Sequence, residues 1–79
     1  MIGKILKTMR HESGLTQKQI SEKTYIGRST LSDYEREKTD ISFENIEKIA
    51  NVCNYNIIFV NKKDKNKFLS SDNIDRKEI

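Results

Sequence analysis

The sequence contains no proline, a single cysteine and no long run of apolar residues. One cysteine cannot form an intrachain disulfide, so a small disulfide-stabilised secreted protein is excluded and a reducing cytoplasm is the expected location. The longest apolar run covers residues 57–60 and is far too short to cross a bilayer, and residues 1–10 lack the apolar run of a signal peptide. We therefore expect no membrane partner.

Length and charge set further limits. With 79 residues the chain forms at most one domain. A domain of this size buries only a small core, so binding to a partner often stabilises it. The net charge is +3, which is compatible with a nucleic-acid partner. Residues 1–60 hold nine Lys and Arg against eight Asp and Glu, and residues 61–79 hold six against four. Any DNA-binding surface must therefore be a local patch.

The first half of the chain predicts three helices. Apolar residues recur at helical spacing near the N-terminus and predict an amphipathic helix that ends before Gly14; they are Ile2, Ile5, Leu6 and Met9. Thr16 and Gln19 have the spacing of a capping box, which predicts a second helix ending near Thr24. Residues 25–27 interrupt the pattern, and Gly27 is an acceptable N-cap for a third helix over residues 28–36.

The second half predicts one more helix and a strand. Ser42 is a favourable N-cap, and Ile41 and Ile46 have the spacing of a hydrophobic staple. The apolar stripe then continues along a fourth helix through Phe43, Ile46, Ile49, Ala50 and Cys53. Asn54 follows as a residue that can end this helix in the left-handed conformation. Residues 55–60 are β-branched and aromatic and predict a strand. We expect one domain over residues 1–60 and a charged, disordered tail over residues 61–79.

The third helix has a dense polar face and offers only Leu31 and Tyr34 to a core. Two short helices joined by a tight turn, the second with a polar outer face, are typical of a helix-turn-helix, whose second helix contacts base edges in the major groove. Donor and acceptor side chains suit that role, and this helix carries Arg28, Ser29, Thr30, Ser32 and Asp33. The bland alternative is an ordinary solvated helix face.

Three stretches carry a resemblance to a known family: GLTQKQISEK (14–23), IGRSTLSDYEREK (26–38) and SFENIEKIANVC (42–53). The sequence resembles the Cro and lambda-repressor-like, or Xre, family, which implies a compact bundle of four or five helices that binds double-stranded DNA as a dimer. The chain departs from the family at three positions. Tyr25 stands where glycine is usual at a positive φ, Thr24 stands where an apolar residue is usual, and Asp33 is acidic.

The resemblance implies roles for individual residues. Gln17 is implied to contact a phosphate, and Arg10 and Glu35 are implied to form an ion pair that ties the first helix to the third. The full set of implied DNA-binding residues is Thr16, Gln17, Gly27, Arg28, Ser29, Thr30, Ser32, Asp33, Arg36 and Lys38. The alternative for each is an ordinary surface side chain. The sequence has no Cys/His cluster, glycine-rich phosphate loop or catalytic triad, so we expect no metal, no cofactor and no enzymatic activity.

The predicted strand follows the fourth helix, where other family members continue with a fifth helix. A strand in this place resembles the HipB-type antitoxins, which implies that Ile57, Ile58, Phe59 and Val60 pair with the same strand of a second copy. We therefore expect a mainly α, lambda-repressor-like bundle of four helices with a short C-terminal strand. The expected function is a dimeric transcriptional repressor of a bacterium or phage, located at the nucleoid. The alternative is an antitoxin that binds a toxin or other regulatory protein and represses its own operon.

Overall fold

In the computed structural model, which describes residues 1–70, four helices precede a short antiparallel hairpin. In chain order the elements are α1 (Ile2–Glu12), α2 (Gln17–Thr24), α3 (Arg28–Glu35), α4 (Phe43–Val52), β1 (Ile58–Val60) and β2 (Phe68–Ser70). The predicted mainly α fold of four helices with a short C-terminal strand is confirmed. No helix within residues 1–70 is long and apolar enough to cross a membrane.

Local capping interactions fix where the helices begin. The backbone N–H of Gln19 donates to the Thr16 hydroxyl at 3.1 Å, and the Gln19 side-chain oxygen accepts from the Thr16 N–H at 2.8 Å. The predicted capping box is therefore confirmed. The Ser42 hydroxyl accepts from the Asn45 N–H at 3.1 Å, which confirms it as the N-cap of α4. Both side chains satisfy N–H groups that have no partner within the helix.

The left-handed residues that the sequence predicts after the first and fourth helices are present. Gly14 has a φ of 70° and lies just after α1, and Asn54 has a φ of 62° and lies just after α4. Both residue types adopt this conformation at low cost, so the chain can leave the helix axis at these points.

The core is built from all four helices, from Ile26 between α2 and α3, and from Cys53 just after α4. Its buried members are Leu6, Met9, Ile20, Ile26, Leu31, Tyr34, Ile49, Ala50 and Cys53. Two residues that the periodicity placed on apolar stripes, Ile5 and Phe43, are instead about half exposed. The expectation was wrong for these two because a stripe about 100° wide contains more positions than the neighbouring helices cover.

α1 and the C-terminal end of α3 approach closely at Gly3. A β-carbon at Gly3 would lie 2.6 Å from the carbonyl oxygen of Tyr34 and 2.8 Å from that of Glu35. The Glu37 carboxylate also accepts a hydrogen bond from the Gly3 N–H at 3.0 Å and another from the amino group of Met1. Only glycine fits at this crossing, and Glu37 fixes the start of α1 to the end of α3.

The hairpin corrects the prediction for the C-terminal region. β1 is shorter than the predicted strand over residues 55–60, and it pairs within the chain with β2, Phe59 opposite Leu69. The expectation that the tail is disordered throughout was therefore wrong for residues 68–70. The predicted domain boundary after residue 60 falls inside this hairpin, and residues 71–79 of the predicted tail lie outside the described residues.

Side chains in the connection between the strands explain the hairpin. The Asn61 side-chain oxygen accepts from the N–H groups of Lys63 and Asp64 at 2.8 and 3.0 Å. The Asp64 carboxylate in turn accepts from the Asn66 N–H at 3.0 Å. Asn and Asp favour turns because they form such local hydrogen bonds with the backbone. The sequence analysis missed this turn because the mainly charged composition of residues 61–79 indicated a disordered tail.

Candidate nucleic-acid interface

The turn between α2 and α3 is held by backbone and hydroxyl hydrogen bonds. Tyr25 has a φ of 63° and a ψ of 18°, which confirms the predicted positive φ, and its N–H donates to the Ser21 carbonyl at 2.8 Å. The buried Thr24 hydroxyl donates to the Ile20 carbonyl at 2.8 Å and accepts from the Ile26 N–H at 3.2 Å. The hydroxyl of Thr24 is thus satisfied, and Thr24 fills a position where the resemblance implied an apolar residue.

α3 contributes two side chains to the core and leaves the remainder of its surface polar. Leu31 and Tyr34 are buried, and the Tyr34 hydroxyl accepts a hydrogen bond from the Asn45 side-chain amide at 2.8 Å. This bond connects α3 to α4. The predicted site residues Arg28, Ser29, Arg36 and Lys38 are exposed, and Thr30, Ser32 and Asp33 are partly exposed. The helix therefore has a continuous polar face with donors at its N-terminal end.

The acidic residue on this face has a basic neighbour. The Arg36 guanidinium donates to the Asp33 carboxylate at 3.3 Å, and their side chains are 58% and 44% exposed. Such an exposed pair contributes little to stability. Its effect on the candidate interface is local, because the positive charge of Arg36 offsets the negative charge that would otherwise repel phosphates.

A less exposed ion pair fixes the other end of α3. The Glu35 carboxylate accepts from the Arg10 guanidinium through both oxygens, at 2.6 and 2.9 Å, and the two side chains are only 9% and 13% exposed. Arg10 also donates to the Leu15 carbonyl at 3.1 Å. The ion pair that the resemblance implied is thus present, and it connects α1, the α1–α2 loop and α3.

Gln17 completes this cluster. Its side-chain amide donates to a Glu35 carboxylate oxygen at 3.2 Å, so the start of α2 lies against the end of α3. Burial alone would raise the pKa of the Glu35 carboxyl, but hydrogen bonds from Arg10 and Gln17 outweigh this effect and hold the pKa below its ordinary value of 4.5. A phosphate contact by Gln17 stays a prediction, and no pattern in the sequence indicated that its amide also contacts Glu35.

The hairpin also exposes apolar side chains, on both faces of its two-stranded sheet. Ile58, Phe59 and Val60 are exposed, as are Phe68 and Leu69 on the paired strand, whereas Ile57 is partly buried against the core. A groove beside β1 is lined by apolar residues of α1 and α4, among them Ile2, Ile5, Met9 and Ile46. Exposed apolar surface of this extent is typical of interaction sites.

Within residues 1–70, no group of three or more His, Cys, Asp or Glu residues could hold a metal ion. Cys53, the one cysteine, is buried, and burial raises the pKa of its thiol.

Comparisons with known proteins agree with this geometry. The family model described as helix-turn-helix matches residues 6–60. The HTH-type transcriptional regulator ImmR of Bacillus subtilis is 38% identical over 63 residues, which are 80% of this chain and 50% of ImmR. The immunity repressor protein of Bacillus phage phi105 is 39% identical over 49 residues, 62% of this chain and 34% of that protein. The chain thus spans half or less of the length of these relatives.

Two solved structures of SinR are similar in fold and sequence. One is the DNA complex of SinR, described as the master regulator for biofilm formation, with a TM-score of 0.65 and 34% identity over 70% of this chain and 89% of that one. The other is the complex of SinR with SinI, with a TM-score of 0.63 and 34% identity over 68% of this chain and 53% of that one.

Proposed function

The chain belongs to the helix-turn-helix family of the Cro and lambda-repressor-like (Xre) type, and on this premise we propose that it represses transcription by binding double-stranded DNA. α3 enters the major groove, and the bound protein occupies a promoter or operator so that polymerase is excluded. The role is one of binding rather than catalysis. Relatives described as a transcriptional regulator and an immunity repressor support this proposal.

The observation that carries the proposal is how α3 is held. Its inner face is fixed by Leu31 and by the hydrogen bond between Tyr34 and Asn45, and its C-terminal end is fixed by Glu35. Its outer face makes no contribution to the core and presents donors and acceptors to solvent. A rigidly positioned helix with a polar outer face is suited to contact base edges at defined positions.

The residues on this surface divide by the chemistry of their side chains. Arg28 and Ser29, at the start of α3, contact base edges, for which a bidentate arginine–guanine contact is the commonest specific interaction. Gln17 and Thr30 contact phosphates, as do Arg36 and Lys38, and these contacts position the protein without sequence information. Asp33 accepts from a base amine while Arg36 limits its repulsion of the backbone.

We also propose that the protein acts as a homodimer through the exposed apolar surface of the hairpin. The supporting observation is that Ile58, Phe59 and Val60 remain exposed although β1 has its strand partner within the chain. A two-fold axis at this surface would place two copies of α3 on one side of the DNA, about 34 Å apart if they enter successive major grooves. Such a protein would be located at the nucleoid.

The antitoxin alternative is not favoured. The resemblance to HipB-type antitoxins was based on a strand over residues 55–60 after the fourth helix, and β1 is shorter and pairs with β2 within the chain. The relatives named above are described as a transcriptional regulator and an immunity repressor. SinR was solved in complex with the protein SinI, so we retain a protein partner in the proposal. We expect this partner to be a regulatory protein rather than a toxin.

The test begins with selection of duplexes that bind the purified protein from a random pool, followed by affinity measurements on the enriched sequence. We expect Arg28→Ala to weaken binding to the selected site by roughly 1–3 kcal/mol and to relax preference at one base pair, with a smaller effect on random duplexes. Lys48→Ala is the matched control, because Lys48 is an exposed cation on α4 outside the proposed interface. No enrichment, or equal losses in both variants, would contradict the proposal.

A further inference from the structure

Tyr25 has a backbone conformation that is unfavourable for its residue type. Three non-glycine residues within residues 1–70 have a positive φ: Tyr25, Glu37 and Asn54. Asparagine tolerates this conformation, and the Glu37 carboxylate is held by the N–H of Gly3 at 3.0 Å. Tyr25 has neither advantage, so its β-carbon makes the left-handed conformation unfavourable without compensation.

The turn explains the conformation of Tyr25 but not its side chain. The backbone N–H of Tyr25 donates to the Ser21 carbonyl and closes α2, an interaction that glycine would make equally well. The side chain is 94% exposed, so neither its ring nor its hydroxyl supports the core. The other tyrosines have evident structural partners, because Tyr34 is buried and Tyr55 donates to Glu12. A strained residue with an unused side chain indicates a binding role.

The position of Tyr25 indicates what it binds. It lies three residues before Arg28, so the two Cα atoms are separated by at most about 11 Å. The first residues of a recognition helix contact base edges, and the major groove is about 12 Å wide. A residue within this distance of Arg28 can therefore reach the sugar-phosphate backbone that borders the groove. Exposed Lys23 is two residues away and supplies a positive charge in the same region.

We propose that Tyr25 contacts DNA, with its hydroxyl donating a hydrogen bond to a backbone phosphate at the edge of the groove that α3 occupies. This inference rests on the proposed DNA-binding function and adds to it a contact made from the turn. The phenol is a suitable donor, because tyrosine is one of the neutral side chains that commonly contact phosphate oxygens. The contact carries no sequence information and contributes affinity at the expense of stability.

The test measures stability and affinity together for two variants of the full chain. Tyr25→Gly removes both the strain and the contact, so we expect its Tm to rise by a few degrees. Tyr25→Phe keeps the ring and the strain but removes the hydroxyl, so we expect its Tm to stay near that of the wild type. Both should bind the selected duplex and a random duplex about tenfold more weakly, as expected on loss of a hydrogen bond to a charged group. Tyr55→Phe, which removes a hydroxyl away from α3, controls for the substitution itself.

The outcomes separate the two proposals. Weaker binding of both Tyr25 variants to both duplexes, with higher stability of Tyr25→Gly, supports the contact. Wild-type affinity in Tyr25→Phe overturns it, whether Tyr25→Gly binds weakly, binds normally or fails to fold. Failure of the wild-type protein to bind any duplex would refute the proposed function and this inference together, whereas unchanged binding by Tyr25→Phe refutes the inference alone.

Discussion

The ion pair between Arg10 and Glu35 allows a quantitative prediction about stability. Glu35→Gln preserves the shape of the side chain but removes its charge, so the Arg10 guanidinium is left without a counter-ion. The two side chains are 13% and 9% exposed, and water therefore compensates little for the loss. The wild-type pair has two short charge-assisted hydrogen bonds, of 2.6 and 2.9 Å, only one of which a glutamine oxygen could retain.

The expected magnitude follows from this burial. Removing one partner of a buried ion pair costs about 3–5 kcal/mol, and we expect about 3 kcal/mol here because both side chains retain some exposure. For a domain of this size, 1 kcal/mol shifts the Tm by about 4–8 °C, so the Tm should fall by roughly 12–24 °C. Asp33→Asn is the matched control. It disrupts a pair whose side chains are 44% and 58% exposed, and it should cost about 0–1 kcal/mol.

Chemical and thermal unfolding followed by circular dichroism would measure both variants. A double variant, Arg10→Leu with Glu35→Leu, should recover much of the stability lost in Glu35→Gln, because an apolar pair leaves no uncompensated charge. If Glu35→Gln loses no more stability than Asp33→Asn, the assigned role of the pair in fixing α3 is incorrect.

Further predictions concern pH, packing, DNA and assembly. Because the folded-state pKa of Glu35 is lowered, its contribution should be fully present above pH 4.5 and lost as the pH falls through the folded value, so wild type and Glu35→Gln should converge in stability under acid. Gly3→Ala should cost about 1–3 kcal/mol in denaturant unfolding, because its β-carbon would meet backbone oxygens of α3; an unchanged midpoint would contradict that crossing. Gln17→Ala should weaken selected and random duplexes by similar factors in a salt-controlled binding assay, and a changed base preference would argue against a phosphate contact. Phe59→Lys should convert a dimer to a monomer in sedimentation, and an unchanged dimer would exclude the hairpin as the interface.

Most local features of the fold could be predicted from short stretches of sequence. The capping box of Thr16 and Gln19 and the N-cap at Ser42 depend on residues three positions apart, and both are present. The left-handed residues Gly14 and Asn54 were predicted from their place after a helix, and the positive φ of Tyr25 from the resemblance to the family. These predictions succeeded because each interaction joins neighbours in the chain, so the residue types alone determine whether it forms.

Predictions based on periodicity succeeded only in part. The apolar stripes correctly identified Leu6, Met9 and Ile49 as core residues but also included Ile5 and Phe43, which are half exposed. Periodicity gives the direction in which a side chain points from its own helix. It does not give the width of the surface that a neighbouring helix will cover.

The amino-acid sequence by itself determined the helices, their caps, the strained turn at Tyr25 and the polar outer face of α3. The tertiary structure alone decided which distant groups meet. It brought Glu35 to Arg10 and Gln17, placed Gly3 against the backbone at the end of α3, and paired β1 with a strand inside the segment expected to be disordered. The physical reason is that these contacts depend on how helix faces and strand edges are oriented relative to one another in space. That orientation is set by the packing of the entire core and by no single stretch of the chain.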